Sequence, residues 1–269
     1  MLLQSLLRPV LTPLMRGMFD APIFSSSAWS PANLSGLTTW YDPSDLTTMF
    51  QDAAGTTPVT AAGQPVGLIL DKSGNGYHAS QATSTARPLF QIDGSGKHYL
   101  AFDGVDDYLS TSAIDLTGTD KVTVFGGAKI SSDSVSITYE FGTDYNAAST
   151  GCFAQYYLSK RITVGNHGTS VVEITTPLAY PDAIVFSSAL QIPTPLTSIE
   201  IDGATVASSA ATLGTGSYGN YSLFIGARSG AAFPTNGNIY SLIIGGTAYD
   251  AATVLATETW VADKTGVTL

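Results

Sequence analysis

The chain has 269 residues, 27 of them glycine and 13 proline, with 44% hydrophobic and only 12% charged side chains and a formal net charge of −10 at pH 7. Those figures exclude a nucleic-acid-wrapping protein, which needs a basic face, and a long-helix protein, which needs runs of Ala, Leu, Glu and Lys. No run of 18 apolar residues occurs, so no helical membrane span is expected, and the single Cys152 excludes an internal disulfide.

The first 35 residues differ from the rest. Leu2, Leu3, Leu6, Leu7, Val10, Leu11, Leu14 and Met15 are apolar at mixed spacings, and Arg8 and Arg16 are the only charges before Asp20. A secretion leader needs a basic start and an unbroken apolar run, whereas Arg8, Pro9 and Pro13 interrupt this one. The stretch therefore reads as a retained arm, with a short helical turn before extended chain and a serine-rich linker at Ser25 to Ser27 and Ser30-Pro31. Leu3, Leu6, Leu7, Arg8, Val10, Leu11, Leu14 and Arg16 are the candidate partner-docking residues. The alternative is that the arm packs back on its own body. The expected division is an arm and linker over 1–35 and a body over 36–269.

From Leu37 onward the pattern is short and alternating. Val66 to Leu70, Val122 to Ala128, Ser136 to Phe141, Phe153 to Leu158, Arg161 to Val164, Ala183 to Phe186, Ser198 to Gly203, Tyr221 to Gly226 and Gly237 to Ile244 all read as strands. Spacing near ten residues with Gly, Asn and Pro between segments predicts an all-β, two-sheet antiparallel sandwich. Trp40, Phe102, Leu109, Phe125 and Ile243 are expected in its core. Asp250 can cap a single helix over about 251–263, ending near Lys264-Thr265-Gly266.

Two turn phrases organise the body. Asp71-Lys72-Ser73-Gly74-Asn75-Gly76-Tyr77-His78-Ala79 supplies a tight reversal, and Phe102-Asp103-Gly104-Val105-Asp106-Asp107-Tyr108-Leu109 turns one strand into the next. In this order and at this separation they resemble the laminin-G-like domains of the concanavalin A-like lectin/glucanase superfamily. Ile225-Gly226-Ala227-Arg228, Gly237 to Ile244 and Lys264-Thr265-Gly266 extend the likeness to the C-terminus, so it covers about residues 37–269. The resemblance implies a concanavalin A-like jelly roll.

That superfamily includes glycoside hydrolases, which place two carboxyl groups about the scissile bond. The β-glucanase-like members carry three acids on one strand. Here Glu200-Ile201-Asp202 is followed by Gly203-Ala204-Thr205, so the third acid is missing and Asp202-Gly203 reads as a hairpin turn. With only four glutamates in the chain, no catalytic residues are assigned and no enzymatic activity is expected.

Asp103, Asp106 and Asp107 are weak calcium candidates, because hard oxygens clustered in a turn suit that ion; the alternative is that they cap the turn, with no cofactor at all. His78, His98 and His167 lack metal-ligand spacing. Glycan recognition needs aromatics to stack on sugars and polar loops to meet hydroxyls, which singles out Tyr145, Tyr156, Asn166, Tyr218 and Phe233. Ordinary loop and strand packing is the competing account of those five.

The wording at Trp40–Leu46 and Phe50–Thr60 resembles tailed-bacteriophage virion structural proteins. That resemblance implies a tail, baseplate or capsid-decorating subunit on the particle exterior. Its arm would dock on other virion proteins, its copies would form a homo-oligomer, and its body would adhere to host-surface glycans, without nucleic-acid or membrane partners. A free lectin module is the alternative, and a glycoside hydrolase a remoter one.

Overall fold

The computed structural model describes residues 29–144, 150–178, 182–229 and 231–269. Strand β1 (Leu37–Tyr41) is followed by three two-residue strands, β2 (Met49–Phe50), β3 (Leu68–Ile69) and β4 (Ala79–Ser80). Then come β5 (Leu89–Ile92), β6 (His98–Asp103), β7 (Leu109–Asp115), β8 (Lys121–Ile130), β9 (Ser136–Phe141), β10 (Cys152–Tyr157), β11 (Arg161–His167) and β12 (Val171–Pro177). The chain finishes with β13 (Ala183–Gln191), β14 (Leu196–Ile201), β15 (Ala204–Ser209), β16 (Asn220–Ile225), β17 (Asn236–Gly245) and helix α1 (Ala251–Thr265).

These strands form two antiparallel sheets. An 8-stranded sheet runs β15-β14-β13-β8-β17-β6-β5, with β1 also on β17, and a 9-stranded sheet runs β12-β11-β10-β9-β16-β7-β4-β3-β2. The expected all-β sandwich is therefore the observed one. Several strands were not foreseen. β5, β12 and β15 are short or rich in Thr, Ser and Ala, and they lie at sheet edges, where only one face is buried and the apolar signal is weak.

Apolar side chains at every second position meet between the sheets, among them Phe90, Phe102, Leu109, Tyr139, Phe141, Phe153 and Phe186. A second cluster lies on the far side of the 8-stranded sheet, where Leu34, Trp40, Phe125, Val185 and Ile243 pack under Val261 and Ala262 of α1. All five expected core residues are buried. Three of them, Trp40, Phe125 and Ile243, serve this second layer rather than the space between the sheets. Burying each large aromatic contributes about 2–3 kcal/mol. Residues 1–28 of the predicted arm lie outside the described residues, while Trp29 and Leu34 pack on the layer under α1.

The helix starts where Asp250 accepts a hydrogen bond from the Thr253 amide at 2.8 Å and stops at Gly266, whose φ of 79° is left-handed. It runs two residues past the expected end. Lys264, in its last turn, reaches Asp42 at 3.3 Å and lies over the Trp260 ring at 4.4 Å. Lys72 meets Asp42 at the same distance from the other side and lies over Trp40. The three separated phrases of the sequence thus converge on one buried carboxylate. No helix among the described residues is long and apolar enough to cross a membrane.

One buried acid gives the fold a pH dependence. Glu258 of α1 accepts a hydrogen bond from Ser187 at 2.7 Å, and burial, with Glu200 and Asp202 nearby, raises its pKa above the usual glutamate value. A raised folded pKa stabilises the fold fully below the ordinary value, and that contribution is lost as pH rises through the raised one. Stability should therefore climb on mild acidification from neutrality. Glu258→Gln should flatten that climb in urea titrations and leave the protein at least as stable at pH 7. A climb of undiminished size in the variant would place its origin elsewhere.

Candidate functional site

The two outer faces differ. Helix α1 and the segment from Trp29 to Leu34 cover the outer face of the 8-stranded sheet. Among the described residues no helix covers the 9-stranded one. Its outward side chains follow from strand alternation. Phe153 and Tyr157 of β10 point into the core, which turns Cys152, Ala154 and Tyr156 out; likewise Ile162 and Val164 of β11 point in, and Thr163 and His167 out.

At the centre of this face stands Arg228. Gly226, at φ 87°, turns the chain out of β16 where a Cβ would come within 2.2 Å of Phe102, so only glycine fits. The Arg228 Nε then bonds Glu140 of β9 at 2.8 Å and its Nη1 meets Asp144 at 3.0 Å. Glu140 is completely buried and Arg228 nearly so, while Asp144 is 41% exposed. The Phe233 ring lies 5.2 Å from the guanidinium carbon and is itself exposed.

The loop that carries Phe233 is tied down. Ile137 donates its amide to the Phe233 carbonyl at 3.0 Å, Arg228 donates to Ala232 at 2.8 Å, and Thr235 caps Ile137 at 2.7 Å. Ala231 and Phe233 take positive φ of 62° and 54°, a cost that the surrounding bonds must hold.

Beside this cluster the Tyr156 hydroxyl donates to Glu173 of β12 at 3.0 Å, and burial, then Glu173, pushes the Tyr156 pKa up to about 12. Thr163 and Thr175 share a hydrogen bond at 2.9 Å on the neighbouring strands. Cys152 lies 3.6 Å from His167 Nδ1, and burial, then Glu140, pushes its thiol up to about 12. A thiol so held stays protonated and is no nucleophile.

Of the five glycan candidates read from the sequence, the structure brings Tyr156 and Phe233 into the neighbourhood of Arg228. Tyr145 lies outside the described residues. Asn166 and Tyr218 do not belong to a surface. Both are buried, Tyr218 donating to Asn166 at 2.9 Å and Asn166 to Thr197 at 3.2 Å, so they form a polar seam inside the sandwich. Loop-like composition around them hid their inward register. Sequence reading missed Glu140, Asp144 and Glu173 altogether, and took Arg228 only as part of a strand-end phrase.

Asp103, Asp106 and Asp107 bring carboxylate oxygens within 4.8 Å of one another. Asp107 is buried and accepts the Asp103 amide at 3.0 Å, and Asp103 accepts that of Val105 at 2.8 Å. Burial, with Asp103 and Asp106 close by, raises the Asp107 pKa to about 6. These are the residues whose oxygens could hold a hard cation. The other acids examined for catalysis serve the fold: Asp202, at φ 51°, begins the β14–β15 turn and accepts the Val185 amide at 2.8 Å, and Glu200 accepts from Thr205 at 3.3 Å.

No family model matches the chain and no curated protein matches it. Solved structures do. The binding domain of botulinum neurotoxin DC in complex with rat synaptotagmin II is similar at 9% identity and a TM-score of 0.58, covering 86% of this chain and 52% of that one. The same domain in complex with SialylT gives 9% and 0.57 over the same shares. The serotype D ligand-binding domain in complex with N-acetylneuraminic acid gives 9% and 0.52, covering 69% of this chain and 46% of that one. The chain thus spans about half the length of these structures, and at such identity the likeness establishes the β-sandwich fold.

Proposed function

We propose that the chain is a non-enzymatic glycan-binding module, displayed on the exterior of a tailed-phage particle through its N-terminal arm. The observation that carries the glycan half is the exposed Phe233 ring. It is pinned over Arg228, near the Tyr156–Glu173 pair, on the sheet away from α1. A sugar presents an apolar C–H face and a rim of hydroxyls, which an aromatic plate beside fixed acceptors matches. A similar solved structure in complex with N-acetylneuraminic acid, and another described by interaction with two ganglioside molecules, support a glycan as the class of ligand. Binding domains among those neighbours also support a non-catalytic role.

The virion half rests on the resemblance at Trp40–Leu46 and Phe50–Thr60 and on the arm. Six apolar side chains, Leu3, Leu6, Leu7, Val10, Leu11 and Leu14, would each contribute about 1.5–3 kcal/mol in gross transfer on a partner surface. Arg8 and Arg16 would sit at the rim of that contact.

On a glycan array, Phe233→Ala should lower affinity for every bound glycan at least tenfold while the melting temperature holds. Unchanged affinity would remove this face from the reading. Removing residues 1–20 should leave a folded body that still binds glycan and no longer enters particles. Incorporation at normal copy number would end the anchoring proposal and favour a free lectin.

A further inference from the structure

We infer that ordered water is bound between the two sheets, beneath the strand that holds the Phe233 loop, and that it braces that strand. The site is a group of polar side chains set in an otherwise apolar core. Ser136, Thr138, Tyr139, Gln155, Tyr157 and Ser188 are each between 0 and 3% exposed. Seven of their side-chain atoms, both ends of the Gln155 amide among them, bond to no other protein group. Buried polar atoms are ordinarily paired, so a converging set of this size marks a bound polar ligand.

Strand register brings the six together. Tyr139 lies opposite Gln155 and Ser136 opposite Tyr157, while Ile137 lies opposite Tyr156, so Thr138 is the extra residue of a bulge in β9. Tyr139 and Tyr157 point into the core. Ser188 of β13 alternates with the inward Phe186 and Leu190 and reaches Tyr139 from the other sheet. The Tyr139 hydroxyl faces Ser188, and that of Tyr157 faces Thr138 and Gln155. None of these approaches has the geometry of a direct hydrogen bond. Phe153 and Phe186, with ring centroids 6.2 and 6.0 Å from that of Tyr139, wall the group on its apolar side.

The chemistry of the group selects water. None of the six side chains carries a charge, and burial raises the pKa of both tyrosines, which keeps their hydroxyls protonated. Hydroxyls and an amide both donate and accept, so the ligand must be small, neutral and able to do both. A buried water makes about three hydrogen bonds, so seven atoms serve about two waters. The outer bonds of the same strand carry the candidate site. The Ile137 amide donates to the Phe233 carbonyl and the Gly226 amide to the Thr138 carbonyl, both at 3.0 Å. Water on the inner side thus fixes the bulge from which the Phe233 loop is held.

The test is a high-resolution crystal structure of the full chain, beside two variants. Density for about two waters is expected within hydrogen-bond distance of Tyr139, Tyr157, Gln155 and Ser188. Tyr139→Phe and Tyr157→Phe each keep the ring and remove one water partner, and each should lower the melting temperature by about 2–4 °C. Amide exchange at Ile137 and Gly226 should quicken severalfold in Tyr157→Phe. Side chains turned to bond one another directly, with no water density, overturn the inference whatever the variants do. A melting temperature that holds or rises in both variants means that the hydroxyls are dry, and overturns it as well. Water in place with exchange at Ile137 and Gly226 unchanged overturns the bracing.

Discussion

Asp71→Ala should lower stability by about 3–5 kcal/mol, the largest loss expected from any single side chain of the first turn phrase. The carboxylate is buried and fully used. One oxygen accepts the Trp40 and Ser73 amides, both at 2.9 Å, and the other accepts the Ser73 hydroxyl at 2.7 Å and the Tyr77 amide at 3.1 Å. Around it Asn75 donates to the Leu37 and Thr38 carbonyls at 2.9 and 3.0 Å. One turn thereby fixes the outer side of β1, which brings Trp40 beneath α1. Alanine would leave three amide donors without their acceptor, each costing about 1–3 kcal/mol where water cannot replace it. The melting temperature should fall by roughly 10 °C, against little change for Asp106→Ala on the other turn phrase. A fall of under about 2 °C would mean that the phrase is a passive turn.

That turn shows which parts of the structure the sequence carried in legible form. Ser73-Gly74-Asn75-Gly76 announces a reversal through backbone freedom alone, so its position could be read; its partners could not, because β1 is more than thirty residues away in the chain. Strands with both faces covered were legible for a similar reason. β8 and β17 are buried nearly throughout, and their apolar stretches Val122 to Ala128 and Ile239 to Ile244 are broken only by Thr123 and Ser241. The edge strand β12 alternates as Val172 and Ile174 in, Glu173 and Thr175 out, but its threonines blurred the period.

The candidate site was half legible. Tyr156 and Phe233 are large aromatics among polar neighbours and declared themselves. Arg228 and Glu140 are 88 residues apart and meet only because β9 and β16 are neighbours in the sheet. Tyr218 gave the opposite error. A tyrosine between glycines and serines reads as surface, yet its hydroxyl is satisfied internally by Asn166, and burial drives its pKa far upward.

The Arg228–Glu140 pair carries the second large effect. Arg228→Met should cost about 3–5 kcal/mol, because it strands a fully buried carboxylate next to Asp144. The penalty comes from the charge left behind rather than from the contact removed. Two consequences follow. Burial favours the neutral form of a carboxyl that has lost its cation, so the variant should regain stability as pH falls from 7 toward 5, whereas the loss of a merely apolar contact would be independent of pH. Replacing both partners, as Glu140→Met with Arg228→Met, removes the stranded charge and should bring stability back to within about 1–2 kcal/mol of wild type. A double-mutant cycle in urea should therefore show strong coupling between the two positions. Additive losses, or an Arg228→Met cost under about 1 kcal/mol at neutral pH, would mean that water reaches Glu140 once the guanidinium is gone. The face around Phe233 would then be a softer and wetter surface than a fixed ion pair allows.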